Sequence, residues 1–141
     1  IMIRALQTED ISAVSAIWLN TNLSAHAFIP SQYWEGQLSE VTEALAQAEV
    51  YLCEREGAIQ GFVGLNGSYI EGIFIRQEAQ SQGVGKRLLD FVKARKDRLE
   101  LNVYQKNSRA VAFYQRERFV IQREGLDEHT GEMEYRMVWT R

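Results

Sequence analysis

The stretch from Ile70 to Arg95 limits the fold more than any other part of the chain. An apolar strand pattern, Ile70 to Ile75, gives way to a polar loop ending in Gly83-Val84-Gly85. Apolar residues at Val84, Leu88, Phe91 and Val92 then follow at helical spacing. A chain that turns from strand to helix on glycines presents backbone N–H groups that no carbonyl of the helix can satisfy. Glycine lets a ligand come close to that backbone, and the helix dipole favours negative charge there. The pattern therefore predicts an anion site, with a phosphate as the fitting ligand. A nucleoside-triphosphate loop would need glycine at 80 and Ser or Thr at 87, where the chain has Gln80 and Arg87. A dinucleotide fingerprint would need glycine at 88, which is Leu88. Taken alone, the loop also reads as a tight turn with no ligand.

At 141 residues the chain is expected to form one domain, 1–141, able to bury its own core. The net charge of −3 argues against nucleic acid or a membrane surface as partner. Cys53 is the single cysteine, which excludes an internal disulfide and suits a reducing cytosol, so a cytoplasmic location is expected. No apolar run approaches the ~18 residues of a spanning helix. No signal-peptide pattern opens the chain, and Met2, after Ile1, reads as the natural start.

Taken in order, Met2 to Leu6 reads as a strand and Thr8 as a helix cap, with Glu9 and Asp10 suiting the helix dipole. Ile11, Val14, Ile17 and Trp18 give the first helix an apolar face, to about Asn20, and a loop follows to Pro30. Trp34, Leu38, Val41, Leu45 and Ala48 stripe a second helix. Val50–Arg55, Ala58–Leu65 and Tyr69–Ile75 read as an antiparallel meander, turned at Glu56-Gly57 and by a type I′ turn at Asn66-Gly67. The helix from Val84 to about Lys96 joins the third of these strands to a parallel one at Leu99–Val103. Asn107 or Ser108 caps a further helix. Phe119–Glu124 and Glu134–Trp139 close the sheet around a loop at 125–133.

Gln80-Ser81-Gln82-Gly83-Val84-Gly85 resembles the Q/R-x-x-G-x-G/A signature of the GCN5-related N-acetyltransferases, the GNAT superfamily. The order β-α-α-β-β-β-α-β-α-β-β is also that of the GNAT fold. The class is α/β (α+β), a mixed, mostly antiparallel seven-stranded sheet with helices on both faces. Asn107-Ser108-Arg109-Ala110-Val111-Ala112-Phe113-Tyr114 resembles the family's N-x-x-A-x-x-F-Y helix. His26-x-Phe28-Ile29 and Tyr104-Gln105-Lys106-Asn107 resemble the small enterobacterial members.

The resemblance implies an acetyl-coenzyme A-dependent N-acetyltransferase, the amine attacking directly in a ternary complex. The alternative is a non-catalytic acyl-coenzyme A binding module. The loop Gln80, Ser81, Gln82, Gly83, Val84, Gly85 and Lys86 would hold the pyrophosphate. Backbone groups along Ile73-Phe74-Ile75 would meet the pantetheine arm and the acetyl carbonyl, Asn107 would bond the pantetheine, and Ala110 and Phe113 would pack beside it. Tyr114 would be the general acid, since a phenol keeps its proton at neutral pH and can give it to a thiolate. Glu71 and His26 are alternative bases, the histidine titrating near neutrality. The acceptor cleft is expected from residues 20–35, with Phe28, Tyr33 and Trp34 as an apolar wall, and from the 125–133 loop. Cys53 reads as a small buried hydrophobe, not a nucleophile. No metal is expected, since His26 and His129 lack ligand spacing. Lys93, Arg95, Lys96 and Arg98 read as a solvated helix face. Either a monomer or a homodimer is compatible with the pattern.

Overall fold

The computed structural model describes residues 1–141. Its strands are β1 (Met2–Ala5), β2 (Glu49–Arg55), β3 (Ala58–Asn66), β4 (Tyr69–Ile75), β5 (Arg98–Tyr104), β6 (Val120–Asp127) and β7 (Glu132–Thr140). Its helices are α1 (Ile11–Ala25), α2 (Ser31–Leu45), α3 (Val84–Lys93) and α4 (Ser108–Arg116). The strands form one seven-stranded sheet in the order β1-β2-β3-β4-β5-β7-β6. Every neighbouring pair is antiparallel except β4–β5. The predicted order and the mixed sheet are both present. No helix is long and apolar enough to cross a membrane.

Each face of the sheet buries its own core because side chains alternate along the strands. On one face Leu88, Leu89 and Val92 of α3 pack with Val63, Leu65, Ile70, Leu99, Leu101 and Met137. On the other, Val14 and Ile17 of α1 and Leu45 of α2 pack with Val50, Leu52 and Phe62. Cys53 is fully buried in the first core.

Two irregularities of β4 shape the centre of the sheet. Gly64 pairs with Gly72 and Leu65 with Ile70, so Glu71 is an extra residue, a β-bulge. Beyond it β4 leaves β5: the only parallel register pair is Tyr69–Glu100. From there the strands splay and a gap opens between their C-terminal ends.

Several element boundaries differ from the sequence reading. Helix α1 runs to Ala25, past Asn20, because its polar residues are satisfied on the helix itself. Thr21 Oγ1 donates to the Ile17 carbonyl (2.7 Å) and Asn22 Nδ2 to that of Trp18 (2.9 Å). Thr8 caps nothing: Gln7 is the N-cap of a short 3-10 turn, Thr8–Asp10, that leads into α1. Asp10 is buried and accepts from the Arg4 guanidinium (2.7 and 3.0 Å) and from the Gln7 N–H (2.8 Å). The turn into β4 is centred on Gly67-Ser68, since Asn66 pairs with Tyr69. Gly67 alone has positive φ (62°), which rules out type I′. The 125–133 loop shrinks to 128–131 because Gly125–Glu134, Leu126–Met133 and Asp127–Glu132 continue the β6–β7 ladder. Of the basic run only Arg95 and Arg98 are exposed. The Lys93 ammonium lies 5.1 Å from the centre of the Trp139 ring, and Lys96 pairs with Glu49 at 3.0 Å.

Candidate active site

The start of α3 is built as an anion cradle. Gly83 is its N-cap in the left-handed region (φ 81°), which a residue with a Cβ rarely adopts, and no side chain caps it. The first intrahelical bond runs from the Arg87 N–H to the Gly83 carbonyl (3.1 Å), leaving the N–H groups of Val84, Gly85 and Lys86 without helical partners. The loop before it is tied down on two sides. Gln80 Nε2 donates to the Ile75 carbonyl (3.1 Å), and Arg109 of α4 donates to Gln80 Oε1 (3.0 Å) and Ser81 Oγ (2.8 Å). Arg109 was missed in the sequence, although it lies inside the N-x-x-A helix. Gln82 faces outward to Arg55 (3.2 Å) and the Glu78 carbonyl (3.1 Å). The Lys86 ammonium is engaged by Asp90 and Glu117, each at 3.3 Å, so Lys86 faces the cradle through its N–H alone.

The gap in the sheet opens beside this cradle. The Arg76 N–H donates to the Gln60 carbonyl (2.9 Å), and antiparallel alternation then turns Phe74 and Gly72 toward β3. Ile73 therefore points its main-chain N–H and C=O groups toward the gap, as does the Ile75 N–H, while the Ile75 carbonyl is taken by Gln80 Nε2. Gly85, Phe113 and Ile75 converge there: a Cβ on Gly85 would lie 3.3 Å from Phe113 Cζ and 4.0 Å from Ile75 Cγ1. Ala110 and Phe113 pack against the same core. Tyr114 is buried with its ring edge-on to Phe113 (5.2 Å) and Phe119 (5.5 Å), and burial pushes its phenol well above the usual range. It carries its proton throughout the neutral range.

Asn107 and His26, predicted on separate grounds, touch. The Asn107 side chain caps α4 by accepting from the Ala110 N–H (3.2 Å), which leaves Nδ2 to donate to His26 Nε2 (3.1 Å). His26 Nδ1 meets Asn22 Oδ1 (3.0 Å), whose own Nδ2 is committed to the Trp18 carbonyl. This chain of donors assigns the His26 proton to Nδ1 and its lone pair to Asn107. The imidazole stacks on Trp34 (5.3 Å) and stands edge-on to Tyr104 (5.0 Å) and Phe28 (5.7 Å). Burial holds its pKa down at about 4. His26 thus sits against Asn107 as a neutral acceptor.

On the face of the sheet below α1 and α2, the registers line up Tyr104 of β5, Glu134 of β7 and Gly125 of β6. Asn102 and Arg136 form the next row. Arg136 pairs with Glu100 (2.7 Å) and covers the Tyr69 ring (5.2 Å). Burial, then the charges of Glu71 and Glu134, push the Tyr69 phenol up, against the pull of Arg136. The exposed Glu71 on its bulge and the half-buried Glu134 thus act on the Tyr69 phenol from one stretch of this face. Phe28 and Tyr33 stand over it, while Trp34 is buried behind His26. Glu134 was not singled out from the sequence, because the segment before it read as loop and left its facing undefined.

A sheet that opens between two parallel strands, with unpaired main-chain groups in the gap and an uncapped helix start beside it, makes a groove for an extended ligand that ends in a phosphate, with a protonated phenol behind. The profile of the acetyltransferase (GNAT) domain matches residues 9–136. The peptidyl-lysine N-acetyltransferase YiaC of Escherichia coli K12 is 36% identical over 122 residues, 85% of this chain and 84% of that protein. The apo-form YjaB of Escherichia coli, solved in solution, superposes with a TM-score of 0.87 at 23% identity, covering 98% of this chain and 96% of that one. PaiA N-acetyltransferase of Thermoplasma acidophilum, crystallised with coenzyme A, gives a TM-score of 0.82 at 15% identity over 99% and 98% of the two chains. The chain belongs to the GNAT acetyltransferase family. It is an N-acetyltransferase that passes the acetyl group of acetyl-coenzyme A to an amine.

Proposed function

We propose that the acceptor is the ε-amine of a lysine side chain, that 1–141 works as a single domain, and that it works in the cytoplasm, where a free Cys53 suits the redox state. The observation that carries the lysine reading is the cleft of Glu71 and Glu134 under Phe28 and Tyr33, acidic and aromatic as a cationic alkyl amine requires. The peptidyl-lysine activity carried in the name of YiaC supports it.

In this reading the N–H groups of Gly83 to Lys86 bind the pyrophosphate, and the main chain of Ile73 and Ile75 aligns the pantetheine arm and polarises the acetyl carbonyl. Asn107 bonds the pantetheine through Nδ2, with Ala110 and Phe113 alongside. His26 is a positioning residue that keeps the Asn107 amide in its donor orientation. The amine attacks the thioester carbonyl, the C–N bond forms, the C–S bond breaks, and Tyr114 protonates the departing thiolate.

The test is calorimetric titration with acetyl-coenzyme A, coenzyme A and ATP, followed by thiol release with a lysine peptide, its Nα-free, lysine-free counterpart and small amines. Micromolar binding of both coenzyme A species but not ATP, with turnover on the lysine peptide, is expected. Turnover confined to small amines or to the Nα-free peptide would overturn the acceptor assignment.

A further inference from the structure

Within the acceptor cleft just proposed, and resting on that reading, Glu134 differs from the exposed Glu71 in being a half-buried carboxylate without a partner. Every neighbour of Glu134 on its face of the sheet already has a partner. Tyr104, opposite on β5, donates to Asp127 (2.7 Å); Glu132, before it on β7, pairs with Lys106 (3.1 Å); Arg136, after it, pairs with Glu100 (2.7 Å). The Glu134 carboxylate receives neither a hydrogen bond nor an ion pair, although the main-chain carbonyl accepts from Gln105 Nε2 (3.3 Å), and burial, then the charge of Asp127, push the carboxyl up from the ordinary value. Tyr33 of α2 lies near enough to feel its charge: the Tyr33 phenol is pushed up by burial and by Asp127 and Glu134.

On the remaining side the register sets Gly125 opposite Glu134, and a Cβ built on Gly125 meets nothing within 4 Å. Directly opposed residues of an antiparallel pair have neighbouring side chains. The missing side chain at 125 thus leaves one flank of Glu134 open where a β-branched residue would fill it. A half-buried carboxylate without a cation is costly, and that cost is relieved by an incoming cation or proton.

We propose that Glu134 is the carboxylate that receives the ammonium of the acceptor lysine, and that Gly125 keeps its open flank free for the side-chain stem. The ammonium gives one proton to Glu134 before attack. The second leaves nitrogen as the tetrahedral intermediate collapses and restores the phenol that Tyr114 has given up to the thiolate. Glu134 returns its proton to solvent when the acetamide, now neutral, departs.

The test uses the full chain saturated with coenzyme A, a complex that binds acceptor without turnover. A short lysine peptide and its norleucine counterpart, which differ by the ammonium, are titrated in separately. Wild type is expected to prefer lysine by tenfold or more. Glu134→Gln should abolish that preference with acetyl-coenzyme A affinity and thermal midpoint retained. Gly125→Val, which meets no atom on its own strand, should raise the KM for the lysine peptide about tenfold with acetyl-coenzyme A affinity unchanged. The proposal is overturned if Glu134→Gln keeps the preference. An unaltered KM in Gly125→Val overturns the role of the gap. Absence of any preference in wild type overturns the lysine reading itself.

Discussion

Acidification should loosen this protein through His26 in a pH window that belongs to His26. Its folded pKa is about 4 against an unperturbed 6.5, because burial among Trp34, Phe28 and Tyr104 disfavours the imidazolium. The unfolded chain therefore binds the proton first, and stability falls as pH drops from 6.5 toward 4. Taking these two values in the linkage relation, the loss between pH 7 and pH 4.5 is about 2 kcal/mol. Asp10, Glu49 and Asp127 are held below the ordinary carboxylate range, so their stabilisation is lost only at lower pH. Glu134, raised, runs the opposite way. Comparison with His26→Phe, which preserves the ring packing but cannot titrate, cancels all of these. Urea unfolding at both pH values should show the gap between wild type and variant shift by about 1 M in midpoint, for an m-value of about 2 kcal/mol/M. Parallel pH dependences for the two proteins would refute the argument. In the folded protein that proton arrives only near pH 4, where it places a donor on Nε2 against the Asn107 donor, so acetyl-coenzyme A affinity should weaken in wild type at the acid end of this interval.

Three other perturbations separate the parts of the site. Tyr114→Phe should lower turnover by roughly 10²–10⁴-fold, with acetyl-coenzyme A affinity nearly intact by calorimetry; equal loss of both would remove the acid role. Arg109→Ala releases Gln80 and Ser81 and should weaken acetyl-coenzyme A and coenzyme A alike by about tenfold, given about 1–2 kcal/mol for exposed charge-assisted bonds, with saturated turnover preserved. Arg4→Met leaves the buried Asp10 without its cation and should cost about 2–3 kcal/mol at pH 7 by urea unfolding. Asp10, held down chiefly by the Arg4 hydrogen bonds, loses that stabilisation in wild type as pH falls below the ordinary carboxylate range. A change under 0.5 kcal/mol in Arg4→Met would show the pair to be idle.

Much of this protein was legible locally. The α3 stripe, the glycine start and the Asn107 cap follow from spacing and from residues whose conformational preferences are strong, and all lie where the sequence put them. Failures came where tertiary pairing overrode local signals. Asn66-Gly67 has the letters of a type I′ turn, but the Asn66–Tyr69 register moves the turn on by one residue. Gly125 looks like loop, yet pairing with β7 holds it in a strand.

What the chain determined by itself was therefore the order of its elements and the chemistry of its cofactor loop, both set by residues close in sequence. Only the assembled sheet decided the site. An extra residue at Glu71 pulls β4 from β5 and frees the Ile73 main chain and the Ile75 N–H. Packing of α1 over β3 and β4 carries His26, at its end, to Tyr104 of β5 and to Asn107 across 81 residues, and the β5–β7–β6 registers put an unpartnered Glu134 carboxylate beside Gly125. Bulges, registers and contacts between distant segments are set by competition among pairings of the whole chain, and no window of local sequence contains that competition.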